Sequence, residues 1–581
     1  MAELSIWAPH ADAVEVEMDG HRESMKTTGD GWWRWESVNL RHGTEYALWV
    51  DDEGPFPDPR SASQPHGVHG ASCWVNPARF EWTDQDWQPP SSRDAIIYEL
   101  HIGTFTPEGT FSAAIERLDH LAQLGITHIE LMPVAEFAGA RGWGYDGVNL
   151  YAPHHAYGGP EGLQRLVDAC HRRGLAVIMD VVYNHLGPVG NYLSRFGPYF
   201  TDRYHTPWGQ AVNLDGPESD EVRRYLIDNA LMWLRDYHCD GLRIDAIHAF
   251  LDQSATHFLE QMRQEVTALE KEVGRHCLII AESDLNDPRY IRPAEEGGMG
   301  LDSQWNEDFH HALHALLTSE QFGYYQDFGT VADLAKAMKA GFAYTGRYSS
   351  FRKRHHGRSA EGLSGDHFVA CIQNHDQIGN RGAGERIGHL VGTDEVKLGA
   401  AVTLLSPFVP MLFQGEEWSA SSPFLYFVDF EDPELIEAVR KGRQSEFEGF
   451  GWNPENIPDP QSEETFLRSK LEWQEKEGAL HRELLEWYRA LITLRKSQPD
   501  FAPGPLDAEG VAFHEEDCWL RFRRGSFQVA CNFSGEQRRV PLDVTRGERL
   551  ILTSASDVKL DKGKVILPPH GLAVIGPKSS G

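Results

Sequence analysis

The sequence predicts an α/β protein, a (β/α)8 TIM barrel with a β-sandwich before it and a C-terminal β-domain behind it. Three observations point there. Near-continuous apolar runs of strand length recur between residues 96 and 414, with amphipathic helical patterns between them, as expected for parallel strands buried on both faces. Eight such βα units can be counted, enough to close a barrel. Short β segments punctuated by Gly, Asp and Pro precede and follow this region.

Residues 1–90 read as an N-terminal β-sandwich, immunoglobulin-like and carbohydrate-binding-like. Ala13–Met18 and Tyr46–Val50 are its clearest strands, followed by the loop-rich Gly54–Gly70 and a linker at Pro89, Pro90, Ser91 and Ser92. Trp32, Trp33 and Trp35 fit either a sugar-binding face or core packing. Residues 91–497 hold the (β/α)8 barrel with loop insertions. Its strands are expected at Ile96–Phe105, Thr127–Val134, Ala176–His185, Gly241–His248, Cys277–Ser283, Leu301–Trp305, Phe368–His375 and Val409–Gln414. Helical patterns cover Ser112–Leu124, Glu161–Arg173, Glu221–Tyr237 and Ala479–Lys496. Phe137–Gly159 and Gly187–Pro217 are long connections after strands two and three, where functional loops grow. Residues 498–581 begin with Pro499, Pro503 and Pro505 and continue as a C-terminal β-sandwich, with strands at Trp519–Arg523, Gln528–Asn532, Leu550–Thr553 and Val565–Leu567.

Composition narrows the function. Against 54 Lys+Arg stand 87 Asp+Glu, a net charge of −33, which repels phosphate backbones and argues against a nucleic-acid partner. No apolar run approaches the ~18–20 residues of a membrane span, and MAELSIWAPH lacks the basic and apolar segments of a secretion signal. A cytoplasmic protein without membrane contact is the expectation. The 7 cysteines are scattered without CxxC spacing, which argues against a disulfide framework and a structural zinc site. With 17 Trp, 18 Tyr and 28 Phe, flat apolar rings are available for stacking on sugars, although rings of this kind also build cores.

The decisive pattern is polar residues at the C-terminal ends of the expected strands, where barrel active sites form. Strand three ends Asp180-Val-Val-Tyr-Asn184-His185 and strand four Arg243-Ile-Asp245-Ala-Ile-His248; strand five ends Glu282-Ser-Asp284 and strand seven Asn374-His375-Asp376-Gln377. Carboxylates without cysteine ligands or a phosphate-binding GKS/GKT loop point to acid/base and nucleophilic chemistry on a neutral substrate. A glycosidase needs two carboxyl groups, one ionised and one protonated. Arg243 lies two residues before Asp245, so on a strand both point the same way, and a guanidinium keeps a nucleophilic carboxylate ionised and aimed. Glu282 ends the apolar run Leu278–Ala281, where desolvation favours the acid role. Asp376 is placed to hold sugar hydroxyls and to stabilise an oxocarbenium-like transition state.

DVVYNH, GLRIDAIH, AES and QNHD, in this order, resemble the four signature regions of the α-amylase clan of retaining α-glucosidases. The resemblance implies Asp245 as nucleophile, Glu282 as acid/base and Asp376 as transition-state stabiliser. His185, Arg243 and His375 would line the glycosyl subsite, with Tyr145 as its stacking platform. PDPRSASQPHGVHG, YELHIGTFTPEGTF, RGWGYDGVNLYAPHHAYGGP and IQNHDQIGNR are similar to the trehalose-releasing hydrolases of that clan. These cut the α-1,4 bond next to the terminal trehalose of maltooligosyltrehalose, a substrate that implies coupling to a maltooligosyltrehalose synthase. On this likeness His248, Asp308, His310, Gln377 and Asn380 become candidate substrate contacts, each equally readable as loop or core. Two departures stand out: Asn149 replaces an Asp common in amylases, and Ala249 follows His248 where many have a His that helps Asn184 hold calcium. No cofactor and no metal is therefore expected. A 1,4-α-glucan branching enzyme and a non-catalytic glucan-binding protein on a degenerate barrel are the alternatives. The basic stretch Arg347–Arg358 reads as a solvated loop, a lid or a docking loop, and the acidic Asn453–Glu464 as a surface excursion.

Overall fold

Eight short parallel strands close into a barrel in the computed structural model, which describes residues 2–37, 40–449, 457–543 and 548–577. In order around the barrel they are Ile97–Leu100, His128–Leu131, Ala176–Val181, Gly241–Ile244, Leu278–Ala281, Ser303–Trp305, Phe368–Ala370 and Val409–Phe413, the last pairing with the first. Each is buried along its length, which is why their sequences run apolar instead of alternating. The strands stop earlier than the apolar and polar pattern suggests. After Leu100 the chain turns into the helix Ile102–Phe105, and after Ile244 it leaves the ladder at Asp245. Residues at these ends trade ladder hydrogen bonds for side-chain contacts across the rim, and that frees them for chemistry.

The helical patterns are present with one break. Ser112–Leu124 divides into Phe111–Ile115 and Leu118–Leu124, the first capped by the Thr110 hydroxyl, which accepts from the Ala113 amide. Gly159–His171, Ser219–Arg235 and Ala479–Ser497 carry the other three.

Before the barrel, Ala2–Trp7, Trp32–Ser37 and Lys26–Gly29 form one sheet, and His21–Ser24, Val14–Met18, Thr44–Val50 and Glu53–Phe56 a second, with Ser72–Trp74 added to it. The three tryptophans do not make an open platform. Trp35 is buried and donates to Glu23, Trp33 donates to the Ala8 carbonyl, and Trp32 lies 5.6 Å from the Arg60 guanidinium. After the barrel, the strands Val511–His514, Trp519–Arg524, Phe527–Asn532, Leu572–Pro577 and Glu548–Thr553 make a five-stranded sheet facing a three-stranded one, with Trp519, Val540, Val565 and Ile575 in the core between them. Of the acidic stretch, residues 453–456 lie outside the described residues, and from Glu463 the chain is helical. Among the described residues no helix is long and apolar enough to cross a membrane.

The connection before the barrel is pinned to the barrel floor. Trp82 stacks on His238 at 3.8 Å and Trp87 on His171 at 4.5 Å. His171 joins Asp84 (2.8 Å) to Asp240 (3.0 Å), and His238 reaches Asp84 at 2.8 Å. Burial disfavours the charged His171 ring, but hydrogen bonds to Asp240 and Asp84 outweigh it and raise the group above the ordinary imidazole value. Burial likewise opposes ionised Asp84, yet the two histidines hold it well below the usual carboxylate range. The sign follows: the His171 contribution is complete below the unfolded imidazole pKa and fades as pH rises through the folded one, and the Asp84 contribution fades only in strong acid. Asp84→Asn is therefore expected to lower the melting temperature more below the unfolded imidazole pKa of about 6.5 than in alkaline solution, where folded His171 has lost its proton, read by thermal unfolding across pH. An equal loss at every pH would show that charge is not what holds the clamp.

Candidate active site

Arg243 organises the rim of the barrel. Its side chain is fully buried at the end of the fourth strand, and its Nη1 donates to both oxygens of Asp180 at 2.9 Å and to Asp245 Oδ1 at 2.7 Å. Its guanidinium carbon lies 4.2 Å from the Trp305 ring centroid, and Nη2 is 3.8 Å from Glu282 Oε2. One guanidinium thus faces three carboxyl groups from strands three, four and five.

Asp245 is placed by a sharp backbone turn. Its own amide still donates to Val181, but the next residue, Ala246, has φ 41° and ψ 50°, a left-handed conformation costly for a residue with a Cβ. That turn swings the Ala246 amide onto Glu282 Oε2 at 2.5 Å. The two carboxyls are therefore tied together through Arg243 and through this amide.

The electrostatics separate their protonation. Burial pushes Glu282 up to about 8; Arg243 counteracts this and the charges of Asp245 and Asp376 add to it. Asp180 rises to about 6 by burial, opposed by Arg243. Burial opposes charge on His375, but the Glu99 carboxylate, 2.5 Å from its Nδ1, and Asp376 raise it to about 9. These environments favour the protonated acid for Glu282 and the imidazolium for His375.

Tyr145 closes the same face. Its hydroxyl donates to Asp180 at 2.6 Å and lies 2.8 Å from His375 Nε2, and its ring stacks on His375 at 5.1 Å. His185 is held by Asn184 Oδ1 at 2.8 Å and by the Tyr145 carbonyl at 3.1 Å. Tyr145, His185, Asp245, His248, Glu282, His375 and Asp376 all line one cleft of about 340 Å3. Asn184 Oδ1 is engaged with His185, and Ala249 follows His248.

Other expected contacts lie elsewhere. Asp308 is buried and accepts from Asn286 (2.8 Å) and the Tyr344 amide (2.7 Å). His310 is buried against His314, and burial lowers its pKa well below the ordinary value. Gln377 directly follows Asp376 and accepts from Tyr325 at 3.4 Å; Asn380, one turn on, donates to Asp376 Oδ1 at 3.4 Å and accepts from Arg443 at 3.0 Å. The basic hairpin is tethered, not free: Arg347 reaches Asp333, and Arg352 reaches Asp284, each at 2.8 Å.

Sequence reasoning missed Trp208, which lines the cleft and stacks on His185 at 4.8 Å from a hairpin in the connection after strand three. An isolated Trp in a polar Pro-Trp-Gly loop was its only signal. Trp143, Asp146 and Tyr426 also line the cleft. Glu307, adjacent to Asp308, is the residue of that pair that senses the site: burial raises its pKa, and so do Glu282, Asp284 and Asp376.

The chain resembles known proteins over nearly its whole length. Residues 74–207 match the family model "Alpha amylase, catalytic domain". A malto-oligosyltrehalose trehalohydrolase of Rhizobium sp. (strain M-11) is 48% identical, covering 98% of this chain and 97% of the relative. One from Arthrobacter ramosus is 50% identical over 90% of this chain and 91% of its own length. A crystal structure of a putative α-amylase from Salmonella typhimurium superposes with a TM-score of 0.90 at 38% identity, covering 99% of this chain and 97% of that one.

Proposed function

The chain belongs to the malto-oligosyltrehalose trehalohydrolase family, and on that premise we propose how its rim residues carry out the reaction. It is a glycoside hydrolase that cleaves the α-1,4-glucosidic bond next to the terminal trehalose of maltooligosyltrehalose, releasing trehalose and a maltooligosaccharide. In our reading Glu282 protonates the glycosidic oxygen while Asp245 attacks the anomeric carbon, and trehalose departs. Glu282, now ionised, takes a proton from water, which hydrolyses the glycosyl–Asp245 ester. Asp376 stabilises the oxocarbenium-like transition state. Tyr145 is the stacking platform, and His185, Arg243 and His375 hold the glycosyl unit. In the same reading a maltooligosyltrehalose synthase supplies the substrate, and nucleic acid has no part.

The shared grip of Arg243 carries this reading. Asp245 and Glu282 reach the same guanidinium, at 2.7 and 3.8 Å. One guanidinium between them is compatible with the ~5–5.5 Å carboxyl separation of retaining enzymes, the outcome that the family resemblance implies. Early proton NMR should accordingly show the new reducing end as the α anomer before it mutarotates; an initial β signal would reassign Asp245.

Trehalose joins two anomeric carbons, so its end differs in shape and hydroxyl pattern from a maltosyl end, and a site built to bond it discriminates strongly. His248, in the cleft just past the nucleophile, is our candidate for that contact. Trehalose should be released from maltooligosyltrehalose much faster than maltose from a maltooligosaccharide of equal length, and His248→Ala should lower that ratio while leaving the melting temperature nearly unchanged. Chromatography of the products tests both points. New α-1,6 linkages in amylose without trehalose release would mean a branching enzyme instead.

A further inference from the structure

We propose that Glu136, His154 and His155 form a binding site for a divalent metal of the zinc type, clamping the base of the excursion that carries Trp143 and Tyr145. Among the described residues this is the one group of three or more His, Cys, Asp or Glu side chains whose ligand atoms converge, all within 4.8 Å of one another. Glu136 lies on the strand Ala135–Phe137, and both histidines directly follow the antiparallel strand Gly147–Pro153. The site therefore joins the two legs of the excursion.

Three features make it more than a chance cluster. The side chains of Glu136 and His154 are fully buried, and that of His155 is 34% exposed, so two ligands are fixed while one edge stays open to an entering ion. Glu136 Oε2 accepts from the His155 backbone amide at 2.8 Å. That turns Oε1 toward both rings, 2.7 Å from His155 Nδ1 and 3.1 Å from His154 Nδ1. The His154 ring is held by stacking on Phe137 at 3.8 Å, its Nδ1 meets Glu136 Oε1 at 3.1 Å, and its buried Nε2 has no hydrogen-bond partner among the described residues.

A cation shared by the His154 Nδ1 lone pair, His155 Nδ1 and Glu136 Oε1 would sit where these three atoms already converge. Bonds of ~2.0–2.1 Å to tetrahedral zinc place ligand atoms about 3.3 Å apart, near the 3.1 Å from Glu136 Oε1 to His154 Nδ1 and wider than the 2.7 Å to His155 Nδ1, a pair that would open around an ion. Two imidazoles and one carboxylate select zinc or a neighbouring transition metal over magnesium or calcium. Water would complete the coordination on the side of His155. When no metal is bound, the Glu136–His155 hydrogen bond occupies the same place.

The experiment is a Zn2+ titration of the chelator-treated full-length protein by calorimetry, beside Glu136→Gln and His155→Ala, with Co2+ as a spectroscopic probe. Both changes spare the buried His154, and circular dichroism checks their folding. One equivalent of Zn2+ should bind, the melting temperature should rise with it, and Co2+ should give the visible bands of a low-coordinate N/O site. Each variant should weaken that binding at least about tenfold and lose the cobalt bands. Absence of the stoichiometric site overturns the proposal. So does Zn2+ binding that both folded variants retain, because the ion would then sit on other histidines.

Discussion

Asp245→Asn should fold like the parent and hydrolyse maltooligosyltrehalose about 10²–10⁴ times more slowly, or slower still. That corresponds to about 3–5 kcal/mol of lost transition-state stabilisation. The amide nearly preserves volume and can still meet Arg243, which donates to Asp245 Oδ1 at 2.7 Å, so packing around the guanidinium survives. A carboxamide cannot form the glycosyl ester, and it removes one of the negative charges that raise Glu282. Two readings therefore move together: turnover collapses, and the pKa of Glu282, followed by carboxyl titration, falls below its value in the parent. Unfolding is excluded by an unchanged melting temperature. A folded variant with near-parent turnover would remove Asp245 from the nucleophile role.

How much of this was legible beforehand depends on which physical force wrote the signal. The barrel strands announce themselves because burial on both faces demands unbroken apolar runs such as Leu278–Ala281, and the structure places strands there. Their ends were legible only coarsely. Ile96–Phe105 reads as one strand, but its second half is the helix Ile102–Phe105, because apolar content reports burial whatever the backbone does. Periodicity also spans the break between Ile115 and Leu118, since both short helices bury the same face.

At the site, residues sharing a strand end were easy to group. Asp180, Arg243, Asp245, Glu282 and His375 meet because parallel strands bring their C-terminal ends to one rim. Contacts set by loop paths were not legible. Asp308 and Glu307 are neighbours in sequence, and only the turn into the helix Glu307–Thr318 decides which of them senses the cleft. Asp308 caps the Tyr344 amide instead. Glu99, which charges His375 from below, lies inside an apolar strand with nothing nearby in sequence to mark it. Trp208 reaches His185 only because a hairpin folds back over the rim.

Glu282→Gln gives the sharper test, because the two chemical steps need the acid/base to different degrees. Burial and the surrounding carboxylates hold Glu282 at about 8. The parent's kcat/KM should therefore fall with rising pH as the acid ionises near that value, since ionised Glu282 cannot protonate a leaving sugar. In the glutamine variant that alkaline limb should vanish and turnover of maltooligosyltrehalose should drop by about 10²–10⁴. A maltosyl substrate with an acidic phenol as leaving group changes the balance. The phenolate departs without a proton, so attack by Asp245 stays fast, while hydrolysis of the ester still lacks its base. The variant should then release a burst of one equivalent of phenol and accumulate the glycosyl–Asp245 adduct, visible by intact-protein mass spectrometry. A small external nucleophile such as azide should speed release and form an α-glycosyl azide. Rates that fall equally on both substrates, with no burst and no adduct, would assign the proton transfer to a different group.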